Sequence, residues 1–141
     1  MATYTKFLDY VEQLNKAVHN WSSHTFKAAL TNTAPVNTNT VFANLTEISA
    51  GNGYSAGGMT LDTVTLSETS GTAKVTIADE VLTASGGSIG PLRYTSIYND
   101  TPTSPADPLV AFYDYGSSIT LSAGESFTID FDATNGLWQL A

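Results

Sequence analysis

The chain has 141 residues, enough for one domain with its own hydrophobic core and no covalent staples. Only 13% of the residues are charged, and 13 acidic residues against five basic ones give a net charge of −8. We therefore predict neither a nucleic acid nor an anionic membrane surface as partner, because both require clustered Lys or Arg side chains. Without cysteine there is no disulfide, and no secretory signal or membrane span is predicted, because residues 1–6 are polar and no long apolar run follows them.

The first segment shows helical periodicity. Its apolar residues recur at steps of four, three, four and three and define one stripe, made up of Phe7, Val11, Leu14, Val18 and Trp21. We predict a helix over residues 5–19, within an N-terminal segment of residues 1–22. Two uses of the stripe stay open. It packs on the sheet of its own domain, which is the commoner arrangement, or it docks against a neighbouring subunit.

Residues 23–141 are predicted to form a single β-sandwich domain. Stretches in which apolar and polar residues alternate are separated by Gly, Pro, Asn and Ser, a pattern typical of half-buried strands. The predicted strands cover residues 25–31, 60–68, 72–78, 91–99, 109–115 and 126–133. The predicted fold class is therefore mainly β, an antiparallel, jelly-roll-like β-sandwich with one N-terminal α-helix.

The stretch from Gly51 to Gly58 is the most glycine-rich in the chain. A phosphate-binding loop is not predicted, because no Lys-Ser/Thr pair, buried parallel strand or amphipathic helix accompanies the glycines. The composition indicates instead a compact loop whose glycines adopt positive φ angles, with Tyr54 packed over it.

No catalytic motif is present. His19 and His24 are the only imidazoles, and no GxSxG or HExxH motif places a serine or a carboxylate to act with them. Asp130 and Asp132 project the same way from a predicted strand and offer oxygens to a hard cation. A calcium site needs about six to eight oxygens, so a solvated strand face is the simpler interpretation. We predict no enzyme activity, no cofactor and no metal.

Aromatic residues gather in residues 109–115, where both faces of the predicted strand are apolar. Such a strand is either central in a packed sandwich or part of an interface. Tyrosines on an exposed face also stack on sugar rings, so a carbohydrate-binding surface stays open. The residues predicted to contact a partner are Phe7, Val11, Leu14, Trp21, Phe112, Tyr113 and Tyr115.

Several turn and strand signatures resemble those of small structural proteins of tailed bacteriophages. They are TNTAP at residues 31–35, LTEI at 45–48, AGNGYSAGG at 50–58, GPLRY at 90–94, YNDT at 98–101, DYGSS at 114–118 and GESFTIDF at 124–131. Together they cover most of the chain. Because none of them is a catalytic signature, they indicate a fold and a setting rather than an activity.

The resemblance implies a capsid cement, or decoration, protein that binds and stabilises the assembled major capsid lattice. It implies the major capsid protein as partner and self-association, with a trimer as the first expectation. It also implies assembly in the host bacterial cytoplasm and a final location on the virion capsid surface. The alternative is a tail- or fibre-associated module that binds tail proteins or host glycans. In that case sugar rings would stack on Tyr113 and Tyr115.

Overall fold

The computed structural model describes residues 2–141, in which there are ten strands and one short α-helix. The elements are β1 (Thr3–Lys6), α1 (Asp9–Asn15), β2 (Phe26–Thr31), β3 (Met59–Thr60), β4 (Thr65–Thr69), β5 (Thr72–Thr76), β6 (Glu80–Thr83), β7 (Ile89–Asn99), β8 (Leu109–Leu121), β9 (Ser126–Ile129) and β10 (Trp138–Leu140). All of the strand pairs are antiparallel. The prediction of a mainly β, antiparallel fold with one N-terminal helix is confirmed.

The strands form two layers around the main core. One layer is a five-stranded sheet in the order β1-β8-β7-β2-β3. The facing layer consists of a three-stranded sheet, β10-β5-β4, and a two-stranded sheet, β6-β9. Both layers contribute apolar side chains to this core, among them Phe26, Ile97 and Val110 from the large sheet and Val75, Ile129 and Leu137 from the other layer. This arrangement is that of a β-sandwich.

The outer face of the five-stranded sheet is buried as well. The long connection formed by residues 32–58 crosses it, and Phe42 stacks on Tyr98 with ring centroids 4.5 Å apart. Residues 109–112 of β8 are consequently buried on both faces of the strand. The sequence left open whether this apolar stretch is a central strand or an interface. For these four residues the structure shows a central strand.

A hydrogen-bond network fixes the glycine-rich loop in that connection. The Glu47 carboxylate accepts hydrogen bonds from the Tyr54 hydroxyl at 2.7 Å and from the Gly57 N–H at 2.8 Å. The Tyr54 oxygen in turn accepts one from the Leu30 N–H at 2.9 Å. Tyr54 is buried, and positive φ angles occur at Gly51, Asn52, Gly53, Gly57 and Gly58. The predicted positive φ angles are therefore confirmed, whereas Tyr54 packs into the core with Leu30 and Ile89 rather than over the loop.

The N-terminal helix is shorter than predicted. Residues 3–6 form β1 at the edge of the large sheet, and α1 covers only Asp9–Asn15. The helix ends in a Schellman motif, in which the N–H of Val18 donates to the carbonyl of Gln13 and that of Ala17 to Leu14. Ala17 takes the left-handed φ of 61° that this ending requires. The chain thus leaves the helix before the predicted end at residue 19.

The predicted apolar stripe is not a single helical face. Phe7 lies before the helix and packs with Phe112 on the outer side of the large sheet, with ring centroids 5.2 Å apart. Trp21 lies after the helix in the core between the layers, where it stacks on Phe26 at a centroid distance of 3.7 Å. Its indole N–H donates to the Tyr10 hydroxyl at 2.8 Å. The helix-like spacing therefore arises from a strand end, a short helix and a turn.

Most of the predicted strands differ in extent from the observed ones. β8 continues to Leu121 instead of ending at residue 115, β7 begins at Ile89 rather than at residue 91, and β5 ends at Thr76 rather than at residue 78. Residues 60–68 are divided between β3 and β4 because residues 61–64, with Thr63 at a φ of 49°, carry the chain from one layer to the other. β9 ends at Ile129 rather than at residue 133, since the N–H of Phe131 donates to the Asp79 carboxylate at 2.8 Å instead of to a ladder partner. β1, β6 and β10 were not predicted. Each has four residues or fewer and, unlike β9, does not belong to a longer run of alternating residues.

Gly58→Ala is expected to destabilise the fold much more than Gly71→Ala. The two glycines have φ angles of 87° and 85°, so both substitutions place a side chain in the left-handed region. That placement costs about 1–2 kcal/mol. Only at Gly58 does the added Cβ overlap backbone, at the Ala28 carbonyl oxygen, whereas nothing lies within 4 Å at Gly71. Urea unfolding should show the Gly58 variant at least about 2 kcal/mol less stable than the Gly71 variant. Equal losses would contradict this close approach.

Candidate binding groove

A groove of about 790 Å³ opens at one edge of the sandwich. Strands β1 and β8 form one wall, and β9 with the turn after it forms the other. The lining residues are Ala2, Tyr4, Thr95, Tyr113, Tyr115, Phe127, Thr128, Ile129, Asp130, Asp132, Gly136 and Leu137. Pockets that bind small ligands commonly occupy about 300–1,000 Å³, so this groove is large enough for a ligand or for a short peptide.

The first wall is aromatic because of strand register. Tyr4 and Tyr113 are cross-strand partners on β1 and β8, and Tyr115 follows two residues later on the same face of β8. The rings of Tyr4 and Tyr113 meet edge to face with centroids 5.4 Å apart, and Tyr115 meets Phe127 in the same way at 5.7 Å. Tyr115 remains 49% exposed. The wall is therefore held in place by its own contacts while it faces solvent.

Two carboxylates lie on the opposite side, and they differ in their partners. Asp132 accepts hydrogen bonds from the backbone N–H groups of Thr134 and Asn135, both at 2.8 Å, and from the Asn135 side-chain amide at 2.7 Å. These bonds lower the pKa of Asp132, so this carboxylate is charged at neutral pH and organises its own turn. Asp130 accepts no hydrogen bond from residues 2–141, and its carboxylate is free to meet a ligand.

The structure brings the predicted pair Asp130 and Asp132 into one groove but does not build a metal centre around it. Within residues 2–141, no group of three or more His, Cys, Asp or Glu side chains is arranged to hold a metal ion. Two carboxylates, one of them occupied by its turn, supply fewer oxygens than a hard cation requires. The groove therefore offers aromatic surface and one free carboxylate.

The residues predicted to contact a partner are found in different surroundings. Phe7, Trp21 and Phe112 are core side chains with at most 8% of their surface exposed, so their apolar character serves packing within the chain. A partner does not reach them in this fold. Leu14 is half-buried against the main core, while Val11 lies on the outside of α1 with 45% of its surface exposed.

The remaining two predicted contact residues, Tyr113 and Tyr115, both line the groove. Sequence reasoning missed their neighbour Tyr4, because the apolar spacing that begins at Phe7 drew residues 5 and 6 into a predicted helix. The run of Thr3, Tyr4 and Thr5 was the available signal, since β-branched and aromatic residues favour strands. No local pattern indicated that β1 would pair with β8.

The two histidines share one buried amide. The Asn99 side-chain nitrogen lies 3.2 Å from His19 Nδ1 and 3.0 Å from His24 Nδ1, and Asn99 is fully buried. Since an amide nitrogen only donates, both rings accept at Nδ1 and carry their proton at Nε2. Burial, with a smaller contribution from His24, lowers the pKa of His19 to about 4. These imidazoles therefore tie the segment after α1 to the end of β7, away from the groove.

Comparison with protein-family models, with curated proteins and with solved structures gave no match to this chain in any of the three. Among residues 2–141, no helix is both long enough and apolar enough to cross a bilayer. What the groove binds has to be inferred from its own geometry and chemistry.

Acid is expected to destabilise the fold through His19. Its folded pKa of about 4 lies below the ordinary value of 6.5, so the unfolded chain binds more protons between these two values. The stability is therefore complete above about pH 6.5 and declines as the pH falls towards 4, by at most about 1.4 kcal/mol per pH unit from this group. Urea unfolding across this range measures the decline.

The control variant is His19→Asn, which retains an acceptor for the Asn99 amide and does not titrate. It should flatten the pH dependence of the unfolding free energy between about pH 6.5 and pH 4, leaving only the contribution of the carboxylates. A dependence as steep as that of the wild type would show that another group is responsible.

Proposed function

We propose that this chain is a non-enzymatic structural protein of a tailed-phage virion and acts as a capsid cement protein. The observation that carries the proposal is the groove, an open aromatic edge of a sandwich with no His, Ser, Cys, Lys or Arg among its lining residues. The acidic side chains in this lining are Asp130 and Asp132, and because Asp132 is engaged by its own turn the groove offers no free pair of carboxylates, which suits it to binding rather than to reaction. The turn and strand signatures of the sequence supply the setting, which is the virion.

The mechanism of a cement protein is mass action. A protein that binds the assembled lattice and not its dissociated subunits stabilises the lattice by its binding free energy. At a free concentration about 100 times the Kd, this contribution is about 2.7 kcal/mol per site. The groove is suited to this task because contacts within the chain already hold the rings of Tyr4, Tyr113 and Tyr115. Little side-chain freedom is lost when a partner binds.

The distribution of charge supports a protein as the partner. The cores of protein interfaces are poor in charged residues and rich in aromatic ones. Three of the basic side chains are engaged in ion pairs within the chain, namely Lys16–Glu12, Lys27–Asp100 and Arg93–Asp114. The groove itself contains two carboxylates and no basic side chain. We therefore propose that the major capsid protein contacts the groove, with the exposed Val11 of α1 as a second contact.

A tail- or fibre-associated module that binds host glycans is the second candidate. Tyr115 is half exposed in the same groove as Asp130, and sugars are bound by ring stacking combined with hydrogen bonds to carboxylates. The geometry favours the first candidate. Tyr4 and Tyr113 are inclined by 62°, and Tyr115 and Phe127 by 74°, so neither pair presents a flat platform to a sugar ring.

The purified protein is expected to bind capsids that lack it in a saturable manner and to raise their melting temperature. Tyr115→Asp should weaken this binding by at least about tenfold, because it places a further negative charge in a groove that already contains two. Leu66→Asp is the matched control. Leu66 is also a partly exposed apolar strand residue, but it lies on β4 outside the groove. Co-sedimentation with capsids measures both variants.

The same experiment includes intact host cells. Binding to cells but not to capsids would contradict the cement function and favour receptor recognition. Equal losses in the two variants would contradict the groove as the capsid contact. A loss caused by Val11→Asp, whose side chain is exposed on α1, would add the helix to the interface.

A further inference from the structure

The groove runs along an unpaired strand edge. Four consecutive residues, from Phe127 to Asp130, line it, although successive side chains of a strand point to opposite faces. Consecutive residues share one groove when that groove meets the edge of the strand rather than a face. β9 pairs only with β6, so no strand lies along its other edge.

The register assigns the backbone groups that face this edge. β6 and β9 pair without a register shift, and Ala84, one residue beyond β6, donates its N–H to the Glu125 carbonyl at 2.9 Å. Hydrogen-bonded and non-bonded residue pairs alternate along an antiparallel ladder. The odd-numbered residues of β9 therefore bond to β6. Thr128, and Asp130 after it, direct their N–H and C=O groups away from β6 and into the groove.

These groups have no partner among residues 2–141. Backbone N–H and C=O groups require a hydrogen-bond partner when they are removed from water. Strand edges in natural proteins are commonly protected by Lys, Pro or a bulge. Residues 126–130 contain neither Lys nor Pro, and the pairing of β9 with β6 has no register shift over residues 126–129; the bulge at Gly124 and Glu125, both opposite Ala84, lies before this stretch. The edge of β9 is thus open to a further strand.

The facing wall contains a second free edge. Phe7, one residue beyond β1, donates its N–H to the Val110 carbonyl of β8 at 3.1 Å. The same alternation directs the backbone groups of Ala2 and Tyr4 away from β8, and both residues line the groove. At the far end of β1 the N–H of Leu8 is bonded to the Asn37 carbonyl, which closes the edge there. Two free edges therefore border the same groove.

We propose that the groove accepts one extended segment of a partner protein, which adds to β9 as an extra strand. Its alternate apolar side chains lie against Tyr4, Tyr113 and Tyr115, and a Lys or Arg lies beside Asp130. In strand addition the main chain supplies affinity and the alternate side chains supply specificity. At about 3.3 Å per residue, the edge over residues 126–130 matches a segment of about five residues. The inference rests on the proposed function for the source of this segment, a subunit of the capsid lattice.

The negative charge of the groove favours a basic segment of another protein over a second copy of this chain. The groove contains Asp130 and Asp132 and no basic side chain, so a segment with a cation is favoured over a neutral or acidic one. The chain itself has only five basic residues, and four of these are engaged within it, namely Lys16, Lys27, Lys74 and Arg93. A second copy is therefore a poor source of the required cation.

The test removes an edge donor without disturbing the ladder. Thr128→Pro deletes an N–H that points into the groove and keeps the bonds between β9 and β6, and proline is tolerated at edge positions of this kind. Val81→Pro is the matched control. Val81 is the cross-strand partner of Thr128, so its N–H points away from β9 on the opposite edge of the same small sheet, outside the groove.

The probe is a blocked synthetic peptide of about seven residues, with alternating valine and threonine and a central lysine. NMR titration of the wild type should show saturable shifts at the amides of Thr128 and Asp130. A glutamate in place of the lysine should weaken binding at least about tenfold. Thr128→Pro should abolish binding and Val81→Pro should leave it unchanged. Asp130→Lys should reverse the lysine preference, which keeps the test decisive if Thr128→Pro does not fold.

The peptide titration tests strand addition and the capsid experiment tests the cement function, so each proposal can be overturned without the other. If Thr128→Pro binds capsids as tightly as the wild type does, strand addition is overturned and the cement function stands. Peptide binding without capsid binding supports strand addition and overturns the cement function. No peptide binding, together with shifts at Tyr115 on titration with neutral oligosaccharides, overturns strand addition in favour of a sugar site.

Discussion

Residues 94–99 of β7 and residues 109–112 of β8 are buried on both faces of their strands, and this constraint governs the rest of the structure. A strand in that position needs a cover on each side. The two smaller sheets cover one side, and the connection of residues 32–58, fixed by Glu47 and Tyr54, covers the other. The short strand β1 supplies the neighbour of β8 at the sheet edge. The groove lies where β1 and β9 leave one edge of the sandwich open.

The histidines and several of the charged side chains form hydrogen bonds and ion pairs within the chain. The imidazoles of His19 and His24 share the Asn99 amide, the Asp132 carboxylate organises its own turn, and Arg93 forms an ion pair with Asp114. At the open edge of the sandwich there remain rings, backbone groups and the Asp130 carboxylate. These are the means of recognising another polypeptide through its shape and its main chain. They support the proposed role, in which the chain forms a lasting contact with another protein.

The sequence was sufficient to predict the fold class but not to predict the groove. Alternation at period two identified most of the longer strands, but the apolar character of residues 109–112 on both faces left a central strand and an interface equally open, and only the sheet order decides for the central strand. The spacing from Phe7 to Trp21 was misleading, because side chains from a strand end, a helix and a turn happen to recur by three and four residues. The groove joins Tyr4 to Asp130, and only the tertiary pairing of β1 with β8 brings these distant positions together.

The open edge of β9 has a consequence for the protein before it meets any partner. An exposed strand edge is a template for pairing with further copies of the chain, and such pairing leads to aggregation. The net charge of −8 opposes this, since copies that approach one another repel over a screening distance of about 8 Å at physiological salt. The same negative charge that opposes pairing between copies favours pairing with a basic segment such as the one proposed above.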